Sequence, residues 1–187
     1  MRADDCADVA RILNDAIEHG VAHFGTELTS SQLVHTDWDS TRLSHPWLIA
    51  ENDDGGFMGF AKASVWKTRK AYDWTVESGI YIEQGNQGQG VGRALYERLF
   101  AILARQGYRV VLAGVSIPNP GSERLHESMG MHIAGELSPV GFKHGEWIPV
   151  RIYQRILGDS DLLAPPGPIQ SVEHAWNDLY PNEQVSI

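Results

Sequence analysis

With 187 residues the chain is about one domain long, enough to bury a full hydrophobic core. Its 15 Lys and Arg against 24 Asp and Glu give a formal net charge of -9, which argues against a nucleic-acid surface and for action on small molecules. The single cysteine, Cys6, excludes an intramolecular disulfide framework and any multi-cysteine metal cluster, and it reads as a small buried side chain. No apolar stretch approaches the length of a membrane span, and the start MRADDCADV has the wrong charge for a signal peptide, so a cytoplasmic protein is expected.

Asp8 to His19 carries Val9, Ile12, Leu13, Ala16 and Ile17 at helical spacing, with Gly20 as a stop, which predicts a first helix. Thr29 to Val34 reads as a short helix before a loop. Trp47 to Glu51 and Phe57 to Trp66, joined by Gly55-Gly56, read as an antiparallel hairpin. Asp73 to Glu83 is the next strand, with Trp74, Val76, Ser78, Ile80 and Ile82 on one face and Thr75, Glu77, Gly79 and Tyr81 on the other. A glycine-dense turn leads into an amphipathic helix whose buried stripe is Val91, Leu95, Leu99 and Ile102, ending at Gly107. Arg109 to Val115 is an apolar strand buried on both faces. Ser122 reads as the N-cap of a short helix from Arg124 to Met129, stopped by Gly130. Two closing strands, near Met131 to Glu136 and Val150 to Ile156, flank the loop VGFKHGEWIP. The order is mixed α/β. Residues 1–157 are expected to form the domain, and 158–187 a tail rich in proline and polar residues, without clear periodicity and partly disordered.

The turn is the most informative feature. Gly88, Gly90 and Gly92 remove the side chains that would hold a ligand away from the backbone, and the helix behind them presents unpaired N–H groups and the positive end of its dipole. A P-loop needs Gly-Lys-Ser/Thr at the helix start, whereas Gly92 is followed by Arg93-Ala94. A dinucleotide fold needs GxGxxG and a later acidic residue for the ribose; this chain has GxGxG, and the strand ending at Gly114 brings no carboxylate. A glycine-rich turn without a ligand stays open on these residues alone. The run Gln87-Gly88-Gln89-Gly90-Val91-Gly92 fits Gln/Arg-x-x-Gly-x-Gly/Ala and resembles the pyrophosphate loop of the GNAT N-acetyltransferases.

Three further segments extend the resemblance: WKTRKAYDWTVESGIY (Trp66 to Tyr81), IPNPGSERLHESMG (Ile117 to Gly130) and GFKHGEWIPVRIYQR (Gly141 to Arg155). Together with the loop they are similar to the phosphinothricin acetyltransferase group, in order from about Arg2 to Pro168. The resemblance implies the GNAT acyl-CoA N-acyltransferase fold, an α/β architecture with a mixed, twisted central sheet, helices on both faces and a splay at the cofactor strand. It implies acetyl-CoA as donor, the α-amino group of an amino-acid-like acceptor, no metal, and a homodimer.

Acetyl transfer to an amine requires that the ammonium lose a proton, the thioester carbonyl be polarised and the leaving thiolate be stabilised. The resemblance implies Glu77 as general base, which requires partial desolvation to raise its basicity; a solvent-facing strand glutamate paired with Lys or Arg is the other reading. It gives His126 as a possible second acid/base group, against a structural helix histidine. Backbone N–H groups from Gly79 to Ile82 are the expected polarisers, with a β-bulge there. The pyrophosphate is expected on the amides of Gln87, Gly88, Gln89, Gly90, Val91, Gly92 and Arg93, pantetheine along Ile80, Tyr81 and Ile82, and Asn119 at the cofactor's amide or sulfur end or as an ordinary turn residue.

For the acceptor, Arg69 and Tyr72, with Lys67 beside them, match the family's anion-binding role, against a merely solvated basic loop. Gly79 and Val150 complete the pocket face, Phe24 and Trp147 offer apolar walls or core, and His144 lies at the rim rather than on a metal. The GFKHGEW loop is expected to reach across the dimer. Gly79, Pro149 and Met131 depart from the family pattern, which puts pocket shape in doubt and leaves the reaction type intact. The chain begins close to its first helix, so most of the usual first strand is missing, through an upstream start or a lost edge strand. A different small amine as acceptor, and a non-catalytic acyl-CoA sensor, are the alternatives.

Overall fold

The structure, a computed structural model, describes residues 1–158 and 164–183. Helix α1 (Cys6–His19) is followed by α2 (Ser31–Thr41), and strands β1 (Trp47–Glu51), β2 (Phe57–Val65) and β3 (Thr75–Ile82) come next. Then come α3 (Val91–Gln106), β4 (Val110–Ser116), α4 (Pro120–Ser128), β5 (His132–Lys143), β6 (Glu146–Ile156) and α5 (Val172–Leu179). The six strands form one sheet in the order β1-β2-β3-β4-β6-β5. All pairs are antiparallel except β3–β4, so the sheet is mixed as expected.

Alternation along the strands divides the core between the two faces. Trp47, Phe60 and the partly buried Tyr81 meet Val9, Ile12, Val34 and Trp38 from α1 and α2. Ala61, Val76, Val111, Ala113 and Tyr153 meet Leu95, Tyr96, Leu99 and Leu103 from α3 on the opposite face. Helices therefore cover both faces, and the fold is the α/β architecture anticipated above.

Several elements differ from the sequence reading. Helix α2 runs on to Thr41, because Ser30 accepts a hydrogen bond from Leu33 N (3.2 Å) and Trp38 is buried one turn after Val34. Asn119, not Ser122, caps α4: its side chain accepts from Ser122 N at 3.2 Å, with Pro120 in the first turn. The loop VGFKHGEWIP is paired strand, closed by a two-residue turn at His144 and Gly145 with φ of 52° and 83°. The tail contains α5, capped by Ser171 and packed against α3; residues 159–163 and 184–187 lie outside the described residues. The β2–β3 register runs unbroken from Gly59↔Ile82 to Val65↔Val76, so the bulge expected there is absent.

The splay arises on the other side of β3. Its parallel pairing with β4 covers only Thr75↔Val110, Val76↔Val111 and Glu77↔Leu112. Beyond that point both strands continue, and the edge of β3 from Ser78 to Ile82 has no strand partner on that side.

Candidate active site

The turn between β3 and α3 has the shape of an anion cradle. Gly88 and Gly90 adopt φ of 74° and 85°, a left-handed conformation that costs other residues about 1–2 kcal/mol. A Cβ at either would meet nothing within 4 Å, so the space above the backbone is open. Gln89 Nε2 donates to Gly85 O at 2.7 Å and braces the turn. The first bond of α3 runs from Ala94 N to Gly90 O (3.0 Å), which leaves the amides of Val91, Gly92 and Arg93 at the helix end, and no acidic residue stands in that turn. The Arg93 guanidinium turns back to Glu97 at 2.8 Å, so the backbone supplies the cradle's donors. Gly92 has a packing role: a Cβ there would lie 3.0 Å from Leu125 Cδ2 of α4. Open space and free backbone amides together are what an anion such as a pyrophosphate needs.

Glu77 lies at the last β3–β4 pair, where the strands part. Its Oε1 is 3.9 Å from where a Gly114 Cβ would stand, and Val150 Cγ1 is 3.5 Å from that same point, so Glu77 and Val150 meet over the open backbone of Gly114. Burial pushes the Glu77 carboxyl up from its ordinary 4.5, and Lys67 and Lys62 pull it back. Lys62 pairs with Gly79 across β2–β3 and is bound by Asp37 at 2.8 Å. Gly79 leaves room, since a Cβ there would only reach 4.0 Å from Lys62 Cγ and Tyr81 Cε2. Tyr81 stacks on Phe60 with centroids 5.4 Å apart, and burial pushes its phenol up to about 12. This geometry brings together a half-buried carboxylate, the Asp37-bound Lys62 on the neighbouring strand and an unpaired strand edge.

Other expected residues are elsewhere. His126 is buried on the opposite face of the sheet from Glu77, its ring between Tyr96 and Tyr153, and burial lowers its pKa. Lys67 and Tyr72 line a cavity of about 380 Å³ together with Leu43, Tyr108 and Ile169, and Arg69 is exposed on the approach to β3. Asn119 spends its side-chain oxygen on the α4 cap. Phe24 covers Gly141, where a Cβ would overlap its ring. Trp147 is 63% exposed and pairs with Phe142, 5.5 Å between centroids, so it walls no pocket here.

The GFKHGEW turn docks on its own chain. Lys143, only 6% exposed, donates to Ala16 O, Gly20 O and His23 O at 3.2, 2.7 and 2.7 Å, and His144 Nε2 donates to Gly20 O at 3.2 Å. These contacts fasten the hairpin to the C-terminal end of α1. Sequence reasoning missed Lys62, Gly114 and Lys143. Lys62 carried a signal, as a lone cation in the apolar strand FMGFAKASV, while Gly114 and Lys143 had none without the tertiary structure.

The acetyltransferase (GNAT) family model matches residues 10–131. A phosphinothricin N-acetyltransferase from Streptomyces viridochromogenes is 41% identical, the match covering 91% of each chain. An L-methionine sulfoximine/L-methionine sulfone acetyltransferase from Salmonella typhimurium is 33% identical over 80% of this chain and 88% of its own. The crystal structure of a GNAT superfamily phosphinothricin acetyltransferase from Sinorhizobium meliloti in complex with acetyl-CoA superposes with a TM-score of 0.85 at 28% identity, covering 89% of this chain and 90% of that one. With the glycine cradle, the parted strands and these matches in agreement, the chain belongs to the GNAT family of acetyltransferases.

Proposed function

We propose that this chain is an acetyl-CoA-dependent N-acetyltransferase acting on the α-amino group of L-phosphinothricin or a related amino acid such as methionine sulfone or methionine sulfoximine. The observation that carries the reading is the half-buried Glu77 at the point where β3 leaves β4, beside Gly114 and on the strand that leads to the glycine turn. Acetyl-CoA supplies the acetyl group as a thioester. The amides of residues 88–93 hold its pyrophosphate, and the free edge of β3 from Gly79 to Ile82 donates to pantetheine and to the thioester oxygen.

Glu77 takes the proton from the acceptor ammonium, its carboxylate made more basic by burial. Lys67, and Lys62 with its partner Asp37, act on that carboxylate as positive charges, and this supports an acceptor bearing carboxylate and phosphinate or sulfone oxygens over a polyamine. Val150 and Gly79 shape the floor, and Arg69 supplies a further cation at the entrance.

Apolar side chains exposed on the β5–β6 hairpin, Leu137, Val140, Phe142 and Trp147 among them, support a homodimer formed through this face. Among the described residues no helix is long and apolar enough to cross a membrane; this and the buried free Cys6 support a cytoplasmic location. The test is thiol release from acetyl-CoA with L-phosphinothricin, L-methionine sulfone, L-methionine sulfoximine, spermidine and an aminoglycoside. Turnover on the first three is expected. Turnover only on the cationic amines would move the assignment to another acceptor, and acetyl-CoA binding without turnover on any amine would leave a sensor.

A further inference from the structure

One residue past the last β3–β4 pair, a buried chain of polar side chains crosses the core. Ser78 Oγ lies 3.3 Å from Leu112 O and 3.4 Å from Tyr96 Oη. Tyr96 Oη is 3.0 Å from His126 Nε2, and His126 Nδ1 is 2.7 Å from Ser122 O. A carbonyl only accepts, so Nδ1 carries the ring proton and Nε2 accepts from the Tyr96 hydroxyl. The Tyr96 oxygen is then left to accept, and the one hydrogen of Ser78 is shared between it and the Leu112 carbonyl. Ser78, Tyr96 and His126 are 5%, 0% and 2% exposed, so water does not compete for these bonds.

The position of this chain gives it a consequence beyond stability. Leu112 belongs to the last β3–β4 pair, and the Ser78 side chain adds a further donor to its carbonyl at the point where the ladder ends. Tyr96 ties that serine to α3, whose first turn forms the anion cradle, and His126 ties it to α4, whose cap is Asn119. Strands β3 and β4 and helices α3 and α4 are thus joined by one string of hydrogen bonds.

We propose that Ser78, Tyr96 and His126 are positioning residues: their hydrogen-bond chain ties β3 to β4 at the vertex where the strands part, and both to α3 and α4, and so fixes the width of the cleft that receives acetyl-CoA. The proposal rests on the acetyl-CoA reading above. None of the three touches the reacting atoms, and His126, with Nε2 covered by Tyr96 across the sheet from Glu77, is not the second acid/base group.

The experiment compares Ser78→Ala, Tyr96→Phe, their double variant and Ser78→Thr with the unaltered protein, reading acetyl-CoA affinity by calorimetry, KM for both substrates and the pH profile of kcat/KM. Loss of one link is expected to raise the Kd and KM for acetyl-CoA by about ten-fold, with the acceptor KM within about two-fold and the acid limb of the pH profile unmoved. The double variant matches the singles, because either break opens the same chain, and Ser78→Thr restores affinity. Singles that bind acetyl-CoA as the unaltered protein does, or effects that simply add, overturn the proposal. Loss of a limb of the pH profile with acetyl-CoA affinity intact also overturns it, in favour of a proton relay. If Tyr96→Phe does not fold, Ser78→Ala and its rescue by threonine decide alone. An unaltered protein that binds no acetyl-CoA would instead remove the reading on which the proposal stands.

Discussion

At the residue scale the role proposed for Glu77 turns on its protonation. Burial raises its pKa and the two lysines lower it, with burial the larger effect. The general base must be ionised, so kcat/KM is expected to rise with pH through this raised value. Replacing Lys67 with Met removes a positive charge that favours the carboxylate. The acid limb of the pH–kcat/KM profile should then move to higher pH, and an unmoved limb would separate Lys67 from Glu77. The same shift has a stability sign. A carboxyl whose folded pKa lies above the unfolded one binds protons more tightly when folded, so stability falls as pH rises from the ordinary 4.5 through the raised value. Glu77→Gln is therefore expected to increase Tm at about pH 7 and to leave it unchanged at about pH 4, below both values. At the cradle, Gly90→Val would strain a φ of 85° and fill open space; the KM for acetyl-CoA should rise by at least about ten-fold, read in a thiol-release assay.

At the element scale the hairpin β5–β6 shows which parts of the fold the sequence could and could not reveal. The strand–turn–helix around Gly88 to Gly92 was legible, because hydrophobic alternation, glycine placement and helical periodicity all lie within one segment. The outer parts of the hairpin's two strands are legible, whereas residues 140–149 read as a loop because they are mostly exposed, which erases alternation, and because the turn is His144-Gly145 rather than Asn-Gly. Helix α2 was shortened for a similar reason, burying only Val34 and Trp38. Of the site, Glu77 and the glycine loop were visible in sequence. The packing of Val150 near Glu77 over Gly114 depends on the β4–β6 register, and the burial of His126 depends on Tyr96 and Tyr153, neither of which is local to it. The hairpin also makes its own prediction. Lys143→Met takes the lysine donor from Ala16 O and His23 O and leaves Gly20 O with His144 alone, at a cost of about 1–3 kcal/mol. Calorimetry should record a lower Tm, and the acceptor KM should rise as Phe24 loses its seat on Gly141, with the acetyl-CoA KM unaffected.

At the scale of the whole molecule, contacts far from the strand splay close the fold. Helix α5 closes the tail back onto α3: Arg98 binds both oxygens of Glu183 at 2.8 and 3.0 Å and lies over the rings of Trp176 and Tyr180. Trp74 Nε1 donates to Gly167 O at 2.7 Å, so the described part of the tail is also fixed to the residue just before β3. On the other side of the molecule, Phe142 and Trp147 present exposed aromatic rings on the hairpin proposed as the dimer face, and Trp147→Glu is expected to convert a sedimenting dimer to monomer. A dimer that persists in this variant would place the interface elsewhere.

The central claim is that one half-buried carboxylate at the strand splay performs the proton transfer while the cradle binds the cosubstrate independently. Thiol release with L-phosphinothricin and acetyl-CoA, measured for the unaltered protein and for Glu77→Gln beside calorimetric acetyl-CoA affinities, tests it most directly. The account predicts that kcat/KM falls by about 10²–10⁴-fold in the variant while acetyl-CoA binds as before. Equal turnover in the two proteins would contradict it.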